Sequence, residues 1–227
     1  MKRRALLLLL TLSLAFAGRA KADEFLLSFT GFDYQDPNTN PGVYLDLLEG
    51  YRVVGFVSDP VGPLLDPWVD FSANEYTVYI RDLTVNGRFF TFPNLTVTFF
   101  NNGRGSYYED EFPINGGTAA TYGVNPPNAT APSTFIDGAE QITGDVDNFV
   151  LVYNFTTNQG SFAGNMTIDG GADLIYVPIA QRAGWTLGGL LGPPNPSIPT
   201  GYDHQVDGEC RIPDATPVVS KTWGAIK

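Results

Sequence analysis

Hydrophobic and polar positions alternate with period two through much of this chain, and no convincing amphipathic helix follows the first 22 residues. The clearest case is Glu75 to Val85, where Tyr76, Val78 and Ile80 face one way and Thr77, Tyr79 and Arg81 the other. Shorter strand-like runs occur at Phe25 to Thr30, Tyr51 to Val57, Arg88 to Phe92 and Leu95 to Phe100, with Thr96 and Thr98 expected on the wet face. Ser106 to Tyr108 is expected to pair with that last run, and strands resume at Phe135-Ile136, Asn148 to Phe155, Gly160 to Ile168 and Asp173 to Val177. Turn chemistry separates them. Asn86-Gly87 is the strongest hairpin signal, Asn101-Asn-Gly103 and Asn158-Gln-Gly160 make further turns, and residues 113–133 form a long Gly/Pro/Asn loop. After Pro178 the chain reads as irregular, docked rather than laddered. The expected fold is all-β, an antiparallel β-sandwich or jelly-roll-like domain.

The start of the chain is different. Lys2, Arg3 and Arg4 precede an apolar run from Ala5 to Ala17, then Ala20-Lys21-Ala22 and acidic Asp23-Glu24. That order of basic, apolar and small residues is the layout of a secretory signal peptide, too short for a bilayer span of about 20 residues. The expected organisation is a leader over 1–22, one β domain over 23–212 and a flexible tail over 213–227, with no transmembrane helix in the mature chain. Export places the protein in the periplasm, at the cell surface or outside the cell.

Cleavage after Ala22 removes five of the 13 basic residues and none of the 24 acidic ones, leaving 8 against 24 and a mature charge of −16. A field of that sign repels nucleic acid and anionic headgroups, so neither is an expected partner. The 25 Gly, 17 Pro and many aromatics suit short strands and turns. Cys210 is the only cysteine, so stability must come from the core, a bound ion or assembly rather than an internal disulfide.

Little here builds catalysis. His204 is the only histidine, which removes any site needing two imidazoles, and it lies six residues from Cys210, about 20 Å along an extended strand. The segment Tyr202 to Glu209 reads as polar chain sealing one end of the domain. Glu109 and Glu111 are two apart, whereas the jelly-roll glucanase strand needs its glutamates four apart, so no enzyme activity is expected. Oxygen-rich turns make Asp33, Asp36 and Asn38, and Asp145 and Asp147, the candidate Ca2+ ligands. Trp68, Tyr122, Trp185 and Tyr202 are the aromatic candidates for stacking on a ligand such as a sugar.

Two C-terminal stretches add a resemblance. Gly184-Trp-Thr-Leu-Gly-Gly189 followed by Ile198 to Gly208, and the ending Val219-Ser-Lys-Thr-Trp-Gly-Ala-Ile-Lys227, resemble uncharacterised exported β-rich bacterial surface proteins with a T-W-G-x-I-K type tail. The resemblance implies a cell-envelope or surface protein acting by binding or assembly, with a surface polysaccharide or an envelope protein as partner, and makes Trp223 a candidate handle for docking or sorting. Two alternatives stand beside this: a carbohydrate-binding module or jelly-roll glycoside hydrolase, and an outer-membrane β-barrel. The barrel wants strands of about 9–11 residues, longer than most runs read here.

Overall fold

The computed structural model describes residues 24–36, 44–91, 94–117 and 132–212. They form nine antiparallel strands: β1 (Glu24–Gln35), β2 (Gly50–Ser58), β3 (Asn74–Thr91), β4 (Leu95–Phe100), β5 (Gly103–Glu111), β6 (Ala139–Asn154), β7 (Gln159–Gly170), β8 (Trp185–Leu191) and β9 (His204–Ile212). Helical structure among the described residues is limited to four short 3-10 turns.

The all-β, antiparallel expectation holds, but the two-layer sandwich or jelly roll does not. The sheet closes on itself. β1 pairs with β2, β2 with β3, and β6, β7, β8 and β9 follow in order, with β9 returning to β1 so that Glu24 lies opposite Ile212 and Asp33 opposite His204. β4 and β5 both lie between β3 and β6 and run in line: β3 holds β5 along its first half and β4 along its second. Leu95 to Glu111 is therefore one interrupted strand, and the whole is an eight-position up-and-down barrel with no free edge. Alternation defines the face of each strand but not whether the sheet splits or closes.

Several local expectations change for the same reason. Asn86-Gly87 does not turn the chain. It lies inside β3, where the register with β4 shifts between Val85 and Gly87, a bulge that bends the strand as the barrel requires. Asn101-Asn102 interrupts a continuing strand rather than making a hairpin, so Ser106 to Tyr108 pairs with β3 and β6 instead of β4. Asp173 to Val177 is not a strand; Ala172–Tyr176 is a 3-10 turn. The segments expected to be irregular, Trp185–Leu191 and His204–Ile212, supply the two strands that close the wall. The expected turn before Gly160 does form, joining β6 to β7.

The interior has three levels. The upper end carries residues 44–49 and 192–203, and the lower end 59–73 and 171–184. The lower level is apolar, with Leu26, Leu27, Val78, Ile80, Ile142, Met166, Leu187 and Cys210 buried. At the waist, aromatic rings lie over glycines: a Cβ on Gly208 would stand 2.2 Å from Phe29 Cζ, so the strand can pass this ring only without a side chain. The upper level is polar. Thr96 and Thr98, expected to be wet, are 2% and 1% exposed and face inward with Asp33, Glu49 and His204. The outer wall is mixed: it carries ion pairs from Arg104 to Asp145 and Asp169 and from Arg211 to Glu209, and also an aromatic cluster that includes Phe32, Tyr34, Phe56 and Tyr79.

Candidate functional site

Two arrangements stand out, one at each end of the barrel. In the upper level the Asp33 carboxylate is wholly buried. Its Oδ2 accepts from the hydroxyls of Tyr44 (2.8 Å) and Tyr51 (3.0 Å), and its Oδ1 from the backbone N–H of His204 (2.7 Å). His204 Nδ1 lies 3.1 Å from Oδ1, and its Nε2 is 3.0 Å from the Tyr153 hydroxyl. With the proton on Nδ1, as this pattern of partners assigns it, every one of these atoms is satisfied. Burial and the adjacent Asp33 push the Tyr44 and Tyr51 phenols well above their usual range, and burial with Asp33 and Asp203 raises Tyr153 to about 12. Asp203 is also raised, by its burial and by Asp33. All three tyrosines are therefore neutral donors at ordinary pH.

An Asp–His–Tyr series is a geometry that can pass a proton, but this one is sealed. His204 is 3% and Tyr153 5% exposed, and Tyr44 and Leu45 of the 44–49 segment sit over it, with Leu48 and Glu49 bonded through their backbone to Val85 of β3. The cluster joins β1, β2, β6, β9 and that plug. It builds structure around one buried charge.

The lower end is open in character. Trp68, from the 59–73 connection, stacks on Tyr176, from the 171–184 connection, with ring centroids 4.1 Å apart and planes 19° apart. Both rings are almost half exposed (45% each), and Ile175 (76%) and Ile179 (83%) flank Tyr176. Ile114 is exposed beside the same connection, where Asn115 Nδ2 and the Phe112 N–H both bond the Ala73 carbonyl. Arg182 is occupied with the carbonyls of Val177 and Leu174. Exposed Asp66 and Asp70 of the 59–73 connection and Glu111 at the end of β5 leave this end acidic around an apolar centre.

The aromatic and metal candidates from the sequence do not converge. Trp68 is at the lower rim, Trp185 is buried at 3% and donates its Nε1 to the Gln181 carbonyl, and Tyr202 packs on the outer wall against Phe32 and Tyr34. Tyr122, Asn38 and Trp223 lie outside the described residues. Asp33 faces the interior while Asp36 faces out onto Arg52 at 2.9 Å; Asp145 is taken by Arg104, and Asp147 accepts from Asn148. Among the described residues no group of three or more acidic, His or Cys side chains is placed to hold a metal. Glu109 lies at the lower end, bonded by Tyr76, Asn74 and Gln141, and Glu111 is exposed. The residues that sequence reading missed are Ile175, Tyr176 and Ile179. Their signal is three large apolar side chains close to Pro178, in a run that reads as a strand and forms a 3-10 turn instead.

No protein family, curated protein or solved structure matches the chain. Among the described residues no helix is long and apolar enough to cross a membrane.

Proposed function

We propose that this is an exported bacterial envelope or surface protein that acts by binding a protein partner through the lower end of its barrel. The observation that carries the reading is the Trp68–Tyr176 stack with Ile175 and Ile179 exposed beside it. Exposed apolar clusters of this kind mark interaction surfaces, and Trp, Tyr and Ile held on short, internally bonded turns lose little entropy on contact. Two isoleucines favour a protein surface over a sugar, which would use the ring faces and flanking carboxylates alone. The acidic surround, on a mature chain of charge −16, selects a partner that is basic around an apolar centre.

An outer-membrane barrel is the second reading, supported by eight antiparallel positions and full closure. The outward Arg104–Asp145–Asp169 group weighs against it, because an arginine facing lipid near the midplane costs about 2–4 kcal/mol. The test is fractionation of cells expressing the wild-type chain and Ile175→Asp/Ile179→Asp. Wild type should stay with envelope proteins and be released by roughly 0.5 M salt, where charge attraction is screened, while the variant is free from the outset. Equal retention of both, release only by detergent, or retention on purified polysaccharide that depends on Trp68 would each overturn the proposal.

A further inference from the structure

Residues 213–227 follow β9 directly, and β9 ends at the lower end of the barrel, where Ile212 lies opposite Glu24 of β1 and Arg211 opposite Thr186 of β8. These fifteen residues lie outside the described ones, but their composition and their point of departure are fixed. From Ala215 onward they carry Val218, Val219, Trp223 and Ile226 with Lys221 and Lys227, and no Asp or Glu. Lys221 and Lys227 are also the only lysines after residue 22. A segment that is basic around apolar side chains therefore leaves the barrel at the end that is acidic around them.

The rim suits such a segment. Trp68, Tyr176, Ile175 and Ile179 are all exposed among the described residues. Arg182 is engaged by the Leu174 and Val177 carbonyls and Arg211 by Glu209, and the ion pairs among the described residues leave out Asp66, Asp70 and Glu111. Hydrogen bonds from Ser72 hold the Asp70 carboxyl below its usual range, so it stays charged in mildly acid solution. Reach is ample. An extended chain spans at most about 3.3–3.6 Å per residue, so the eleven steps from Ile212 to Trp223 cover up to about 36–40 Å. An eight-position barrel is about 16 Å across, which puts the whole opening within range. A tether of this length gives an effective concentration on the order of 1 mM, above what a second copy reaches in ordinary solution, so the tail of the same chain is the favoured occupant.

We infer that residues 215–227 dock on the lower rim of their own barrel, with Trp223 against the Trp68–Tyr176 stack and the two isoleucines, and with Lys221 and Lys227 among Asp66, Asp70 and Glu111. The inference rests on the reading of this rim as a docking surface and adds its regulation. The tail is a tethered competitor, and a partner that is basic around an apolar centre must displace it. With a tail affinity of about 0.1 mM in isolation, the docked state outweighs the open one by about ten to one, and a partner's apparent affinity falls by the same factor.

The chain has three tryptophans, so Trp68 can be followed through its indole N–H resonance, with the buried Trp185 as internal reference and Trp223→Phe to assign the tail's own signal. In the purified full chain, Lys221→Glu/Lys227→Glu should move the Trp68 signal, and roughly 0.5 M salt should move it the same way in wild type. A synthetic peptide of residues 215–227, added to that variant in low salt, should move the signal back saturably with a midpoint of about 0.1 mM. Carbodiimide coupling of wild type should join Lys221 or Lys227 to Asp66, Asp70 or Glu111 within one chain. A Trp68 signal indifferent to both the lysine changes and the peptide, couplings only to carboxylates away from the lower end, or couplings only between chains would each overturn the inference. Loss of envelope retention in Ile175→Asp/Ile179→Asp alongside an indifferent Trp68 signal would overturn the tail contact and keep the docking surface. Equal retention alongside a responsive signal would leave the tail seated on a rim that serves no partner, and would end its role as a competitor.

Discussion

Replacing Asp33 by Asn tests whether the upper cluster is built around a buried negative charge. The side chains are nearly the same size, so packing is preserved and only the hydrogen-bond polarity changes. Asp33 now accepts two tyrosine hydroxyls at one oxygen and the His204 N–H groups at the other. Opposite the His204 N–H groups the new NH2 would meet donors only, so it takes the tyrosine side, where both hydroxyls must turn from donating to accepting and their two bonds to a charged acceptor are lost. Bonds to a charged acceptor are worth about 1.5–3 kcal/mol each, so the loss should be about 3–6 kcal/mol. With a slope of about 2 kcal/mol per molar urea, the unfolding midpoint should fall by about 1.5–3 M. Tyr51→Phe removes a single donor and should cost about 1–2 kcal/mol. The double variant should cost less than the sum, because the hydroxyl removed no longer has its acceptor. A midpoint for Asp33→Asn within about 0.5 M of wild type, or strict additivity, would show that the carboxylate is not the organising charge.

Three further outcomes follow from the geometry. Gly208→Ala places a methyl 2.2 Å from Phe29 Cζ and should cost about 2–4 kcal/mol in thermal unfolding, whereas Gly188→Ala, whose nearest atom would be 3.8 Å away, should lie within about 1 kcal/mol of wild type. Hydrogen bonds from Arg104 hold the Asp169 carboxyl below its usual range, so its contribution is present above the unfolded carboxylate value and is lost as pH falls through the lower folded value; Asp169→Asn should lower the melting temperature by about 1–2 °C at pH 7 and leave it unchanged near pH 2. Cys210 should react with a thiol reagent only as fast as the barrel opens, so a labelling rate matching that of an exposed thiol would place it elsewhere.

The strand faces were legible where one face is fully apolar. Tyr76, Val78 and Ile80 point inward as their alternation requires, because burying them on the other face would expose the core. β9 carries the same period, with His204, Val206, Gly208, Cys210 and Ile212 all inward, yet a histidine and a glycine at core positions conceal it from a hydrophobic count. Thr96 and Thr98 mislead in the same way, since they belong to a polar level inside the barrel that no local pattern announces. Closure was not legible: the close contact of an inward glycine such as Gly31, where a Cβ would meet the Val54 carbonyl of β2 at 1.9 Å, shows only once the strands are paired. The lower rim was half visible. Trp68 was recognisable as an exposed aromatic, but its pairing with Tyr176 joins residues more than a hundred positions apart, a proximity that only the closed barrel creates.

Closure by β1 against β9 also sets the order in which the protein can fold. Phe25 finds Arg211 and Asp33 finds His204, so the first strand waits for almost the last described residues before its second edge is satisfied. Loop-closure entropy makes such pairings late, and a topology rich in them folds slowly. A nascent chain lacking β9 has two open edges and no sealed interior. The barrel cannot complete until that end has been made and released, so the position of a single strand delays the sealing of the whole interior.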